Sequence, residues 1–118
     1  MRKVMVVDDS LFMRNHLAKM LTRNGYKTIL VENGEQAVLY YRKARPDAVL
    51  MDITMPQKDG LQALTEIREF DVRARVIMLT ALDQELAATR AIHLGATDFL
   101  VKPAAPNRVL TALRNALR

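Results

Sequence analysis

Five short apolar runs recur along the chain, each followed by a longer stretch with helical spacing, and this alternation constrains the fold more than any other feature. "KVMVV" (Lys3 to Val7) is β-branched-rich and continuously apolar from Val4, as expected of a strand buried on both faces. "KTILV" (Lys27 to Val31), "DAVLM" (Asp47 to Met51), "RVIMLT" (Arg75 to Thr80) and "TDFLV" (Thr97 to Val101) supply four more. Ser10 is expected to cap a first helix carrying Met13, Leu17, Met20 and Leu21 on one face, closed by Asn24-Gly25. Asn33-Gly34 opens a second helix through Ala37, Val38 and Tyr41 to Pro46, and a third is predicted from about Leu61 to Glu69. Asp83 is expected to cap a fourth, running to about Leu94 and stopped by Gly95. The fifth starts near Pro106, with Val109, Leu110, Leu113, Ala116 and Leu117 as its apolar face. Strands and helices in strict alternation predict an α/β domain, a parallel sheet covered on both faces with right-handed crossovers.

With 118 residues and no linker, low-complexity tract or repeat, the sequence is expected to form one domain spanning 1–118. No apolar run approaches the roughly 20 residues that cross a bilayer, so no membrane insertion is expected. The absence of cysteine excludes disulfides, thiolate chemistry and Cys-based zinc sites, and fits a cytoplasmic protein. The net charge of +5 is concentrated at the end of the chain: Lys102, Arg108, Arg114 and Arg118 occur there with no acidic residue among them. No aromatic residues interleave to stack on bases. The run therefore reads as a solvated helix face with cations near its C-terminus, not as a nucleic-acid surface.

The chemically capable side chains fall at the ends of the predicted strands. Asp8 and Asp9 follow the first strand, Asp52 follows the third, Thr80 ends the fourth and Lys102 ends the fifth. In a parallel sheet these ends share one edge, where α/β folds bind ligands. Singly, each has a plainer explanation: Asp9 as a cap for the first helix, Thr80 as a cap for the fourth, Lys102-Pro103 as a strand terminator. Their joint placement favours a site.

Three carboxylates brought together repel, and the single positive charge of Lys102 does not balance them. A hard divalent ion with oxygen ligands would, and Mg²⁺, which combines one or two carboxylates with a phosphate, is the expected choice. His16 and His93 lie within helices away from these strand ends and read as surface residues, which argues against zinc. The seven methionines, Met5, Met51 and Met78 among them, read as core filler. An aspartate beside Mg²⁺, a lysine and a threonine hydroxyl has the parts for phosphoryl transfer, with Asp52 as nucleophile and an aspartyl phosphate as product.

"VDDS", "MDITMPQKDG", "LTA" and "DFLVKP" resemble the receiver domain of two-component response regulators, and the resemblance runs over the whole length. "DDSLFMR" and "MDITMP" are particularly similar to single-domain, chemotaxis-type receivers. The resemblance implies a doubly wound, flavodoxin-like five-stranded parallel sheet in order 2-1-3-4-5 with five helices. It implies that Asp52 accepts a phosphoryl group from a phosphohistidine on a sensor histidine kinase. Asp8 and Asp9 match the acidic pair for Mg²⁺, and the Thr54 carbonyl matches a third protein ligand, with Asp52 completing the metal set. Thr80 matches the hydroxyl that moves toward the phosphoryl group, Lys102 the lysine that pairs with it, and Phe99 the aromatic switch. Lys102-Pro103 matches a bond that is cis in the family. The surface of helix four, strand five and helix five then binds a downstream protein, and pairing of two copies on activation is an open expectation.

Two positions depart from what is common in motor-binding relatives. Thr54 and Leu82 lie two residues beyond the phosphoacceptor and the conserved threonine, where residues tune hydrolysis, and apolar Leu82 cannot position a water. A long-lived phosphoryl state is the expectation. The switch ring is Phe, so its inward state makes no hydroxyl hydrogen bond. Pro56 and Gly60 are expected to shape the loop after Asp52. The alternatives are a receiver excised from a longer regulator with a DNA-binding or enzymatic output domain, an aspartyl-phosphate phosphatase, and a nucleotide- or flavin-binding domain. Thr at position 54 removes the acid/base carboxylate the phosphatase would use, and "DDSLF" lacks a Gly-rich phosphate loop.

Overall fold

A computed structural model describes residues 2–55, 58–81 and 83–118. Pro56 and Leu82, on which the loop-shaping and hydrolysis expectations fall, lie outside the described residues. The elements run β1 (Lys3–Val7), α1 (Leu11–Arg23), β2 (Lys27–Val31), α2 (Gly34–Ala44), β3 (Ala48–Asp52), α3 (Gly60–Phe70), β4 (Val76–Thr80), α4 (Glu85–His93), β5 (Asp98–Val101) and α5 (Pro106–Ala116).

All strand pairs are parallel and the order is β2-β1-β3-β4-β5. Every residue of β3 and β4 is buried, as are Val4 to Val7 of β1, which is why these runs are continuously apolar instead of alternating. Side chains still point alternately to the two faces. Met5, Val7, Val49, Met51, Val76 and Met78 pack under α2, α3 and α4 against Val38, Tyr41, Leu64 and Ile67. Val4, Val6, Leu50, Ile77 and Leu79 pack under α1 and α5 against Leu17, Leu21, Val109 and Leu113. The two helical layers bury both faces of the sheet and leave its ends open.

Helix starts follow capping chemistry. Ser10 Oγ accepts from Met13 N at 3.2 Å, Asn33 Oδ1 from Gln36 N at 2.8 Å and Asp59 Oδ1 from Gln62 N at 2.9 Å. The fourth helix differs from expectation. Asp83 does not cap it; Gln84 holds the N-cap position and makes no side-chain cap bond. A turn closed by Gln84 N on Ala81 O at 3.0 Å carries the chain one residue further before α4 begins. The second helix stops at Ala44, short of Pro46, because Arg45 takes a left-handed conformation with φ 49°.

Strand three is displaced by one residue from its predicted span. Asp47 precedes it, with its carboxylate accepting from Lys3 N at 2.7 Å, and Asp52 is its last residue, in register with Leu79. Asp52 thus belongs to the ladder itself. Strands β4 and β5 each begin one residue later than predicted, at Val76 and Asp98.

Candidate functional site at the carboxyl edge of the sheet

The parallel register carries the polar residues to one edge. Val7 pairs with Met51 and Asp52 with Leu79, so Asp8 and Asp52 lie side by side one residue further along. Backbone bonds extend the ladder past the strand ends: Asp8 N donates to Val31 O at 3.2 Å, Ile53 N to Leu79 O at 3.1 Å and Lys102 N to Thr80 O at 2.7 Å. Each side chain therefore projects from a backbone fixed on at least one side.

Carboxylate oxygens of Asp8, Asp9 and Asp52 lie within 4.8 Å of one another. Lys102 Nζ is 3.1 Å from Asp8 Oδ2 and 3.4 Å from Asp52 Oδ2. Asp8 is buried and doubly held, since Ser10 N also donates to its Oδ1 at 2.9 Å; Asp9 is exposed and Asp52 is buried. Among the described residues one ammonium faces three carboxylates, which leaves negative charge uncompensated. Asp52 responds: burial raises its pKa above the ordinary value, the Asp8 charge adds to the rise, and Lys102 and the Thr54 N–H oppose it. An all-oxygen set of this charge fits a hard divalent cation.

Thr80, Thr54 and Lys102 stand at the same edge in different roles, whereas Phe99 lies within β5, opposite Met78. Thr80 is buried, but its hydroxyl is turned along its own loop, donating to Ala81 O at 3.1 Å with Gln84 O at 3.4 Å. Thr54 N donates to Asp52 Oδ1 at 3.4 Å, and its side-chain oxygen accepts from Gln84 Nε2. Phe99, on edge strand β5, is 38% exposed, so its ring is not packed into the core. The Lys102–Pro103 peptide is cis. His16 and His93 are exposed on α1 and α4.

Two contributors, Arg14 and Gln84, were not singled out from the sequence, while Gly60 was expected only as a shaper of the loop after Asp52. Arg14 Nη1 donates to the Asp8 carbonyl at 2.7 Å from the first turn of α1. Gln84 bridges two loops beside the site. Gly60 lets α3 start directly over Asp52, because a Cβ there would meet the Asp52 carbonyl oxygen and the Ile53 Cα. Polar residues near a helix start are common in any α/β chain, so neither Arg14 nor Gln84 carried a distinct signal.

Comparisons with known proteins agree with this geometry. A family model described as the response regulator receiver domain matches residues 4–114. The chemotaxis protein CheY of Bacillus subtilis (strain 168) is 45% identical over 116 residues, covering 98% of this chain and 97% of that protein. Protein CcdB of the same organism is 48% identical over 119 residues, covering 99% and 98%. Among solved structures, a chain of the CheX-CheY-BeF3-Mg+2 complex from Borrelia burgdorferi matches with a TM-score of 0.93 at 38% identity, covering 99% of this chain and 90% of that one.

Proposed function

We propose that this chain, which belongs to the response regulator receiver domain family, is a phosphorylation-activated switch of a two-component system with Asp52 as its phosphoacceptor. Members of the family are signalling switches and not turnover enzymes in the ordinary sense. The observation that carries the assignment is the position of Asp52, a buried carboxylate with an ammonium 3.4 Å away and two further carboxylates beside it.

Asp8, Asp9, Asp52 and the Thr54 carbonyl would hold Mg²⁺, at the acidic pocket where the family binds it. When bound, the ion supplies positive charge that offsets the carboxylates and the phosphoryl oxygens. An Asp52 carboxylate oxygen attacks phosphorus in line; the P–O bond forms as the bond to the donor nitrogen breaks, and the departing imidazole keeps that electron pair. Lys102 is placed to pair with one phosphoryl oxygen. The Thr80 hydroxyl can donate to another once it leaves Ala81 O.

The donor is the phosphohistidine of a sensor kinase. The output is a downstream protein that docks on α4, β5 and α5, where Phe99, Val101, Pro103 and Arg108 line one groove. Phosphorylation acts by population shift, through contacts made in one conformer only. The whole chain works as one cytoplasmic receiver, with its phosphoryl group lost slowly by self-catalysed hydrolysis. No helix among the described residues is long and apolar enough to cross a membrane.

Incubation with Mg²⁺ and acetyl phosphate, read by mass spectrometry, tests the assignment. One phosphoryl group is expected on the wild type and none on Asp52→Asn. Labelling that persists in the variant overturns the reading.

A further inference from the structure

The phosphoryl-transfer reading gives Gln84 no role, yet its side chain joins the two loops that flank Asp52. It holds the N-cap position of α4 without making a cap bond. The amide is engaged elsewhere: Oε1 accepts from Ala81 N at 3.0 Å, and Nε2 donates to Thr54 Oγ1. One side chain thus ties the loop after β4 to the loop after β3. The same short segment holds Thr80, whose hydroxyl donates to Ala81 O at 3.1 Å with Gln84 O at 3.4 Å. Thr80 is 1% exposed, so water cannot replace those acceptors without movement of the chain.

We propose that Gln84 is a positioning residue whose side chain latches Ala81 to Thr54 and so holds the conformer in which the Thr80 hydroxyl is turned away from Asp52. The inference rests on the reading of Asp52 as phosphoacceptor and deepens it by naming the restraint that sets the resting state. To reach a phosphoryl oxygen on Asp52, the Thr80 hydroxyl has to leave the Ala81 carbonyl. On this proposal the hydroxyl's departure is coupled to movement of the Ala81 segment that now accepts from it, which draws Ala81 N away from Gln84 Oε1 and strains the link to Thr54. The three interactions belong to one conformer and are lost together. Contacts made only in the resting conformer reduce the apparent affinity of any ligand that selects the other. The latch accordingly sets the threshold for activation, while leaving the acidic pocket intact.

The test uses the full chain at saturating Mg²⁺, with beryllofluoride as the phosphoryl mimic and calorimetric titration as the readout. Gln84→Met keeps the length and removes both hydrogen bonds; Thr54→Val removes the acceptor oxygen and keeps the backbone. Each variant is expected to bind beryllofluoride about threefold to tenfold more tightly than wild type, the shift open to losing one or two hydrogen bonds. The double variant is expected to gain no more than Gln84→Met alone, because both substitutions open one bridge. Exchange of the Ala81 amide proton is expected to quicken in Gln84→Met, which a general loss of stability would not confine to that position. Unchanged or weaker binding in Gln84→Met overturns the latch, and so do fully additive effects of the two substitutions. Wild type that fails to bind beryllofluoride at all overturns the Asp52 reading and the inference with it.

Discussion

Lys102 and Asp52, fifty positions apart in the chain, meet with Nζ 3.4 Å from Oδ2 at the carboxyl edge of the sheet. Among the described residues no other cation is paired with Asp52, and the same ammonium also serves Asp8. Replacing it by Met keeps the aliphatic stem and removes the charge. Lys102→Met is expected to raise the Asp52 pKa further and to slow phosphorylation by acetyl phosphate about 10- to 100-fold, the range for a lost charge-assisted hydrogen bond. A carboxyl-carbon NMR titration and the phosphorylation rate check the two halves. A rate within about twofold of wild type would separate Lys102 from the chemistry.

Asp52 is held above its ordinary pKa chiefly by burial. A carboxyl whose folded-state pKa is raised favours the neutral acid in the native state. Its contribution to stability is complete below the unfolded pKa and is lost as pH rises through the folded pKa, so at neutral pH the ionised group is a liability. Asp52→Asn, nearly isosteric and uncharged, is expected to raise the Tm by a few degrees at pH 7 in chelator. That advantage should vanish below about pH 4, where the wild-type carboxyl is protonated as well. Thermal melts across this range decide it, and an advantage that grows on acidification would reverse the sign of the argument.

Most of this arrangement was legible because strand ends are marked by where apolar runs stop. Asp8, Asp52, Thr80 and Lys102 each sit at such a stop, and parallel pairing alone carries all of them to one edge. Which strand neighbours which was not legible from periodicity, since burial on both faces makes β1, β3 and β4 look alike; the order came from the family resemblance. The direction of the Thr80 hydroxyl was also hidden, because it depends on the Ala81 and Gln84 carbonyls brought round by a turn. Asp83 has the better capping chemistry and yet Gln84 holds the cap position, after a turn closed by Gln84 N on Ala81 O and with its amide tied to Ala81 and Thr54. Tertiary contacts overrode a local preference there.

Gly60 and Gly25 look interchangeable in the sequence and are required for different reasons. Gly25 has φ +88° with open space around it, so the constraint is backbone conformation alone. Gly60 has no such φ, but a Cβ would meet the Asp52 carbonyl oxygen, and its own N donates to Ile53 O at 2.8 Å. Gly60→Ala is expected to cost about 1–3 kcal/mol because backbone on both sides must shift. Gly25→Asn should cost only a few tenths, since Asn tolerates the left-handed region. Denaturant midpoints of the two variants test the contrast, and equal losses would refute it.

Tyr41 and Asp71 join the ends of α2 and α3 on the far side from the site. The phenol donates to Asp71 Oδ2 at 2.7 Å, and the ring is buried and packs edge-on against Phe70 at 6.4 Å. Donation by the phenol holds the Asp71 pKa below its ordinary value, while burial and the carboxylate raise that of Tyr41. For a carboxyl whose folded pKa is depressed, the stability is present above the unfolded pKa and is lost as pH falls through the folded one. Tyr41→Phe keeps the ring and deletes the bond, and is expected to cost about 1 kcal/mol at pH 7. Near pH 2.5, about a unit or more below an ordinary Asp pKa, part of the bond's charge assistance is gone in the wild type too, so the Tm gap between the two proteins should narrow. A gap that stays constant from pH 7 to that point would mean the phenol is held by something other than an ionised Asp71.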